Sequence, residues 1–171
     1  GRFQFGRWGE AAMAEMYPLW MLKYLPNMPA CHVGIAQDAR GPNNSLTLGE
    51  VSSLAAFEEA VRVIDRGHAD AMIAGGAHSM IHPLGLTGFN LLTALSTRND
   101  SPETASRPFS ASRDGFVLGE GAAIVILESL ASAQNRDAKV LAELIGYGST
   151  SDAHRVTDMH NEGRGAVGAI Q

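Results

Sequence analysis

The chain has 171 residues, 45% of them hydrophobic, one cysteine and a formal net charge of −5. That is apolar chain enough for one domain or part of one. The acidic balance leaves no electrostatic footprint for nucleic acid or an anionic membrane surface, and a lone cysteine, Cys31, allows no intrachain disulfide, which fits a reducing, cytoplasmic compartment.

The opening residues, GRFQFGRWGEAAMAEM, lack the long apolar stretch of a signal peptide. The longest apolar runs, such as that at 122–127, are far too short to span a bilayer. Residues 18–24 predict a short apolar helix and residues 28–38 a second, with Pro29 in its first turn. Their Trp, Met and Leu residues, at helical spacing, suit a core or subunit contact. Gly41-Pro42 breaks the chain. Residues 43–48 predict a strand, and from Glu50 to Arg66 the apolar positions predict a helix buried on more than one side, closed by Gly67. Residues 69–74 predict a short buried strand ended by Gly75-Gly76. A helix follows from Pro83 or Gly85 to Leu95, and then a long loop at 96–112 rich in Ser, Thr, Pro and charge. The apolar run at 122–127 predicts a central strand, 129–135 a helix, 139–147 another strand, and 163–171 the start of a helix. Alternating helices and near-continuously apolar strands indicate an α/β class with a mixed sheet.

The stretch GPNNSLTLGEVSSL at 41–54 carries the main functional question. A strand that turns abruptly into a helix lifts one side chain onto the helix N-terminus, where backbone N–H groups and the helix dipole converge. Enzymes with a nucleophile elbow place Ser or Cys at such a corner; this chain places Glu50. Other candidates carry less. His78 and His82 have the i, i+4 spacing of zinc-binding helices, but the acid of HExxH and a third ligand are missing, so no metal site is expected. Residues 163–168 match GxGxxG without a clear preceding strand or a downstream acid, which makes it a chance match. Asn43-Asn44-Ser45 matches a glycosylation sequon with no secretory signal to make use of it. No cofactor is expected.

GPNNSL, RVIDRGHADAMIAGGA, PLGLTGFNLLTALSTRND, SRPFSASRDGFVLGEGAAIVILE and AELIGYGSTSDAHRVT, in that order, resemble the β-ketoacyl-acyl carrier protein synthases, above all the type II elongating ketosynthases. The resemblance covers nearly the whole chain after residue 27. It implies a thiolase-like α-β-α-β-α layered fold, of which this chain holds a part. Residues 1–171 are then the central part of the N-terminal ketosynthase half, and the C-terminal catalytic half is absent. That half carries two catalytic histidines in motifs resembling NAHGT and GHxxGA; none of His32, His68, His78, His82, His154 and His160 stands in a matching context. The implied partners are acyl carrier protein and a second subunit, in a homodimer or in a heterodimer with an active ketosynthase.

The resemblance also defines what is odd at the corner. Counted from Gly41, the position of the family's acyl-accepting cysteine is Glu50, and the Thr-Ala before that cysteine becomes Leu48-Gly49. Cys31 lies too early in the chain to replace it, and Ser52 and Ser53 point elsewhere on the helix. A thiolate at a helix N-terminus attacks a thioester and carries the acyl group; a carboxylate is a much poorer acceptor. Some relatives with Gln there decarboxylate malonyl thioesters or pair with an active ketosynthase. A Glu50 kept neutral by desolvation could imitate them, but a helix start favours the charged form, which ranks decarboxylation below a partner role. Phe116, in the Arg113-Asp114-Gly115-Phe116 signature, and Thr157, beside His154, are the expected substrate-binding positions. Gly119-Glu120-Gly121 is expected to shape turns.

Overall fold

The computed structural model describes residues 5–156 and 158–171. Its elements are α1 (Phe5–Glu15), α2 (Met28–Ala36), α3 (Ser52–Asp65), β1 (Ala71–Ser79), α4 (Pro83–Leu91), β2 (Glu120–Glu128), α5 (Leu130–Asn135) and α6 (Arg164–Ile170), with single 3-10 turns at Trp20–Lys23, Gly49–Val51 and Pro102–Thr104. The chain divides into two compact units, one of Ile73–Ile126 and the other of the residues up to Met72 together with Leu127–Gln171.

The helix boundaries have local causes. α2 and α4 each carry proline in the first turn, where a missing N–H costs nothing. His82 caps α4 by accepting the Gly85 N–H at Nδ1 (3.1 Å), and Ser129 caps α5 by accepting the Ser132 N–H at Oγ (3.1 Å). α3 closes as expected at Gly67, φ +70°. There the Gly67 N–H donates to the Ile64 carbonyl and the His68 N–H to the Val63 carbonyl, the paired bonds of a Schellman motif. The same pairing ends α2, α4 and α5, with Asp38, Thr93 and Asp137 at positive φ in place of glycine.

β1 and β2 form a two-stranded sheet. Gly75 lies against Ala123 and Ile124, and the Ser79 hydroxyl donates to Glu120 at 2.7 Å. One index rises as the other falls, so the strands run antiparallel. β1 passes straight through Gly75-Gly76, where the sequence predicted its end: the neighbouring backbone of β2 supplies the ladder that propensity alone does not.

Several expectations need correction. Residues 43–48 and 139–147 are not strands; they lie outside any ladder. A strand exists only where a neighbour completes its hydrogen bonds, and the described residues supply none there. Residues 18–24 form only a 3-10 turn, and α4 stops at Leu91, four residues before the expected Leu95. The described sheet has two antiparallel strands, as fits an α/β fold of which this chain holds only part.

The buried apolar residues are small: Ala60 and Val63 on α3, Ala74 on β1, Ala105 and Ala133. The large ones stay open. On β2, Ile124 and Ile126 on one face are 52% and 69% exposed and Val125 on the other is 43% exposed. A strand apolar on both faces is built to be covered on both.

Replacing Ser129 by alanine removes the α5 cap. The expected loss is about 1 kcal/mol of stability, measured by urea unfolding of the full-length protein with wild type alongside.

Candidate functional site

The segment that leads to Glu50 is pinned on two sides. The Asn43 amide donates to the Ala30 carbonyl in α2 (3.2 Å), and the Asn44 amide donates to Glu59 Oε1 in α3 (2.9 Å). The chain then turns at Gly49, whose φ of +63° is a left-handed conformation that L side chains rarely adopt. Ser52 closes the turn. Its Oγ accepts the Leu48 N–H and donates to the Gly49 carbonyl, each at 2.7 Å, while its own N–H bonds the same carbonyl.

The corner is therefore one 3-10 turn, Gly49–Val51, followed by the 14-residue α3. Glu50 sits in that turn with its side chain exposed. Leu48, Val51 and Leu54 around it are exposed too, at 56%, 55% and 70%. The result is an acid on an apolar surface. The Ser52 hydroxyl is engaged in closing the turn. Cys31 sits in α2, half-buried.

Phe116 is in the Ile73–Ile126 unit, a different compact unit from Glu50. Its N–H donates to the Ala94 carbonyl (2.7 Å) and its carbonyl accepts the Ser96 N–H (2.9 Å), making a parallel bridge to Leu95. Its ring meets Phe89 edge to face, with centroids 6.1 Å apart, a favoured aromatic geometry. The neighbouring Asp114 carboxylate accepts from Ser96 Oγ at both oxygens (3.0 Å each) and from Arg107 Nη2 (3.0 Å). Burial alone would raise the Asp114 pKa; the hydrogen bonds from Ser96 and Arg107 and the charges of Arg107 and Arg98 outweigh it and hold the carboxyl below its ordinary value.

Thr157 lies outside the described residues. Near it, His154 is exposed and rests edge to face on His160, centroids 5.0 Å apart. His82 Nδ1 is occupied in capping α4. The GxGxxG match at 163–168 opens the seven-residue α6, and no strand precedes it among described residues 129–162. Phe89, Ser96 and Arg107 were not singled out by sequence reasoning. The signal available was the polar density of the 96–112 loop just before the Arg113-Asp114-Gly115-Phe116 signature.

The family model described as "Beta-ketoacyl synthase, N-terminal domain" matches residues 6–133. The chain belongs to the β-ketoacyl synthase family. It is 41% identical over 162 residues to the mitochondrial 3-oxoacyl-[acyl-carrier-protein] synthase of Arabidopsis thaliana, covering 94% of this chain and 35% of that one. Among solved structures it is similar to a chain of a complex described as a type II PKS acyl-carrier protein with its ketosynthase bound to the hexaketide: TM-score 0.84, 34% identity, 90% of this chain and 38% of that one. It is also similar to a chain of the complex of the ketosynthase ApeO with its chain length factor ApeC from Xenorhabdus doucetiae: TM-score 0.73, 25% identity, 95% of this chain and 39% of that one. The partial α/β structure is thus part of the thiolase-like ketosynthase fold, and the chain spans well under half the length of these relatives. No helix among the described residues is long and apolar enough to cross a membrane.

Two outcomes follow from the site geometry. Gly49→Ala, which forces a Cβ into the left-handed turn, is expected to cost about 1–2 kcal/mol, read from the denaturant midpoint of the full-length protein. Asp114, with its folded pKa depressed, contributes stability that is present above the ordinary carboxylate pKa of about 3.9 and is lost as pH falls through the lower folded value. Acid titration of wild type and Asp114→Asn by circular dichroism should show a shallower acid-dependent loss in the variant.

Proposed function

We propose that this chain is the central part of the N-terminal half of a β-ketoacyl-ACP synthase-like protein of fatty acid or polyketide biosynthesis, one that handles acyl-carrier thioesters without the usual cysteine route. The observation that carries this reading is the carboxylate of Glu50 in the closed 3-10 turn that opens α3, at the position counted as the family's nucleophile. In the ordinary reaction a thiolate attacks the thioester carbonyl, the carrier thiol leaves, and the acyl group waits on the enzyme. A carboxylate in that role would form a mixed anhydride, which water cleaves readily. Condensation through Glu50 is therefore not expected.

Acyl carrier protein is the proposed partner, supported by the similarity to a ketosynthase solved with its carrier protein. A second subunit, in a homodimer or in a heterodimer with an active ketosynthase, is proposed alongside it. The open apolar faces of β2 support cover from further chain or from such a subunit. The cytoplasm is the proposed location, in keeping with the single cysteine.

A second reading, a non-catalytic partner of the chain-length-factor kind, is supported by the similarity to a ketosynthase complexed with its chain length factor. It shares the prediction that no acyl group is held covalently. A malonyl-thioester decarboxylase stands behind both, because a carboxylate at residue 50 repels the carboxylate of a malonyl thioester. Phe116 and Thr157 remain the proposed substrate-binding positions, Phe116 through its ring pair with Phe89.

The test is intact-mass spectrometry of the full-length protein after incubation with acyl-carrier thioesters. The expected result is binding with no acyl adduct; an adduct on Glu50 or any other residue overturns the reading. Glu50→Cys should gain covalent loading but only weak condensation, since Leu48-Gly49 also replaces the usual Thr-Ala.

A further inference from the structure

We propose that Asp114-Gly115 is a site of spontaneous isoaspartate formation, held unreactive in the closed loop by Ser96 and Arg107 and released to react when that loop opens. It is the one place in the sequence where an aspartate or asparagine is followed by glycine. Such pairs react most readily because glycine puts no side chain in the way of its own nitrogen. The inference rests on the Ile73–Ile126 unit alone and is independent of any handling of acyl thioesters.

The chemistry needs nothing but water. The Gly115 nitrogen attacks the carboxyl carbon of the Asp114 side chain. A C–N bond forms, the C–O bond breaks, and the hydroxyl leaves as water with the Gly115 amide proton. Water then opens the resulting five-membered imide. Addition at the former main-chain carbonyl of Asp114 leaves the chain running through the side-chain carbonyl, one methylene longer, with a free α-carboxylate.

The closed loop opposes both partners of the first step. The carbon to be attacked belongs to a carboxylate that accepts from Ser96 Oγ at both oxygens (3.0 Å each) and from Arg107 Nη2 (3.0 Å). These bonds favour the charged form, and a carboxylate is a poor electrophile where the neutral acid is required. They also fix its direction. Arg107 is itself anchored, with Nε donating to the Ser112 carbonyl (2.9 Å) and its side chain only 17% exposed. The nucleophile is held from the other side. Gly115 is pressed against the 94–96 segment: a Cβ there would lie 2.5 Å from both the Leu95 carbonyl carbon and the Ser96 nitrogen. The next residue is clamped, its N–H donating to the Ala94 carbonyl (2.7 Å) and its carbonyl accepting the Ser96 N–H (2.9 Å). Turning the Asp114–Gly115 peptide to bring its nitrogen onto the carboxyl breaks these bonds.

The closure is also what can give way. It joins the two ends of an excursion that begins at Thr93, a β-branched residue at φ +53°. Such a conformation is an outlier and persists only where surrounding bonds hold it. Loops tied by partly exposed polar bonds open at a lower free energy than the whole molecule. In the open loop the pair reacts as it does in a free peptide. The product does not fit back: a methylene enters the main chain beside a glycine whose neighbours leave no room for a Cβ. The two Phe116 backbone bonds then fail to re-form together, and the loop stays open.

The test incubates the full-length protein near neutral pH. Isoaspartate at residue 114 is followed by methyl transfer from S-adenosylmethionine with a protein-isoaspartyl methyltransferase and located by mass spectrometry. A synthetic peptide of residues 110–119 gives the unrestrained rate. Folded wild type is expected to convert well below the peptide rate. Ser96→Ala, with folding verified by circular dichroism, is expected to convert about tenfold faster than wild type, the effect on a local opening of losing a hydrogen bond to a charged group. Arg107→Lys, which loses the bond to the Ser112 carbonyl, should also accelerate conversion, and it serves if the first variant does not fold. Wild type converting as fast as the peptide overturns the inference, and so do folded variants that convert no faster than wild type. In the converted fraction, hydrogen exchange at the Phe116 and Ser96 amides should lose its protection; retained protection overturns the claim that the product cannot be accommodated.

Discussion

The Ser52 hydroxyl accepts the Leu48 N–H and donates to the Gly49 carbonyl, and that closure turns an extended segment into a 14-residue helix within three residues. Gly49 makes the turn sterically possible, and Ser52 closes it with both bonds while residue 49 is left-handed and residue 52 helical. The asparagine tethers then fix the approach: Asn43 holds it to α2 and Asn44 holds it to α3. The place of Glu50 is thus set by backbone and by neighbours, and the Glu50 side chain contributes nothing to it. The corner would stand the same way with a different residue at its tip.

What the sequence made legible follows from which signals are local. Caps and turn residues act over three to five positions, and so Gly67, Ser129 and Pro83 mark helix ends correctly. Strands are not local in that sense. Residues 43–48 and 139–147 have strand-like composition, but no neighbour completes a ladder for either. β1 runs on through two glycines because β2 lies beside it. Glu50 stands out in the sequence because a motif surrounds it. The Ser96–Asp114 contact spans 18 residues and the Phe89–Phe116 contact 27, and no periodicity encodes separations of that kind. Thr93 at positive φ is a further case: propensity argues against it, and the paired Schellman bonds to Phe89 and Asn90 override propensity.

The distribution of apolar surface bears on how the units are used. α3 buries Ala60 and Val63, and the large aliphatic residues of β2 stay open on both faces. Small residues in contact and large ones exposed is the reverse of what a self-sufficient core does. It is the pattern of a piece whose large side chains meet something further, and the relatives are more than twice as long as this chain.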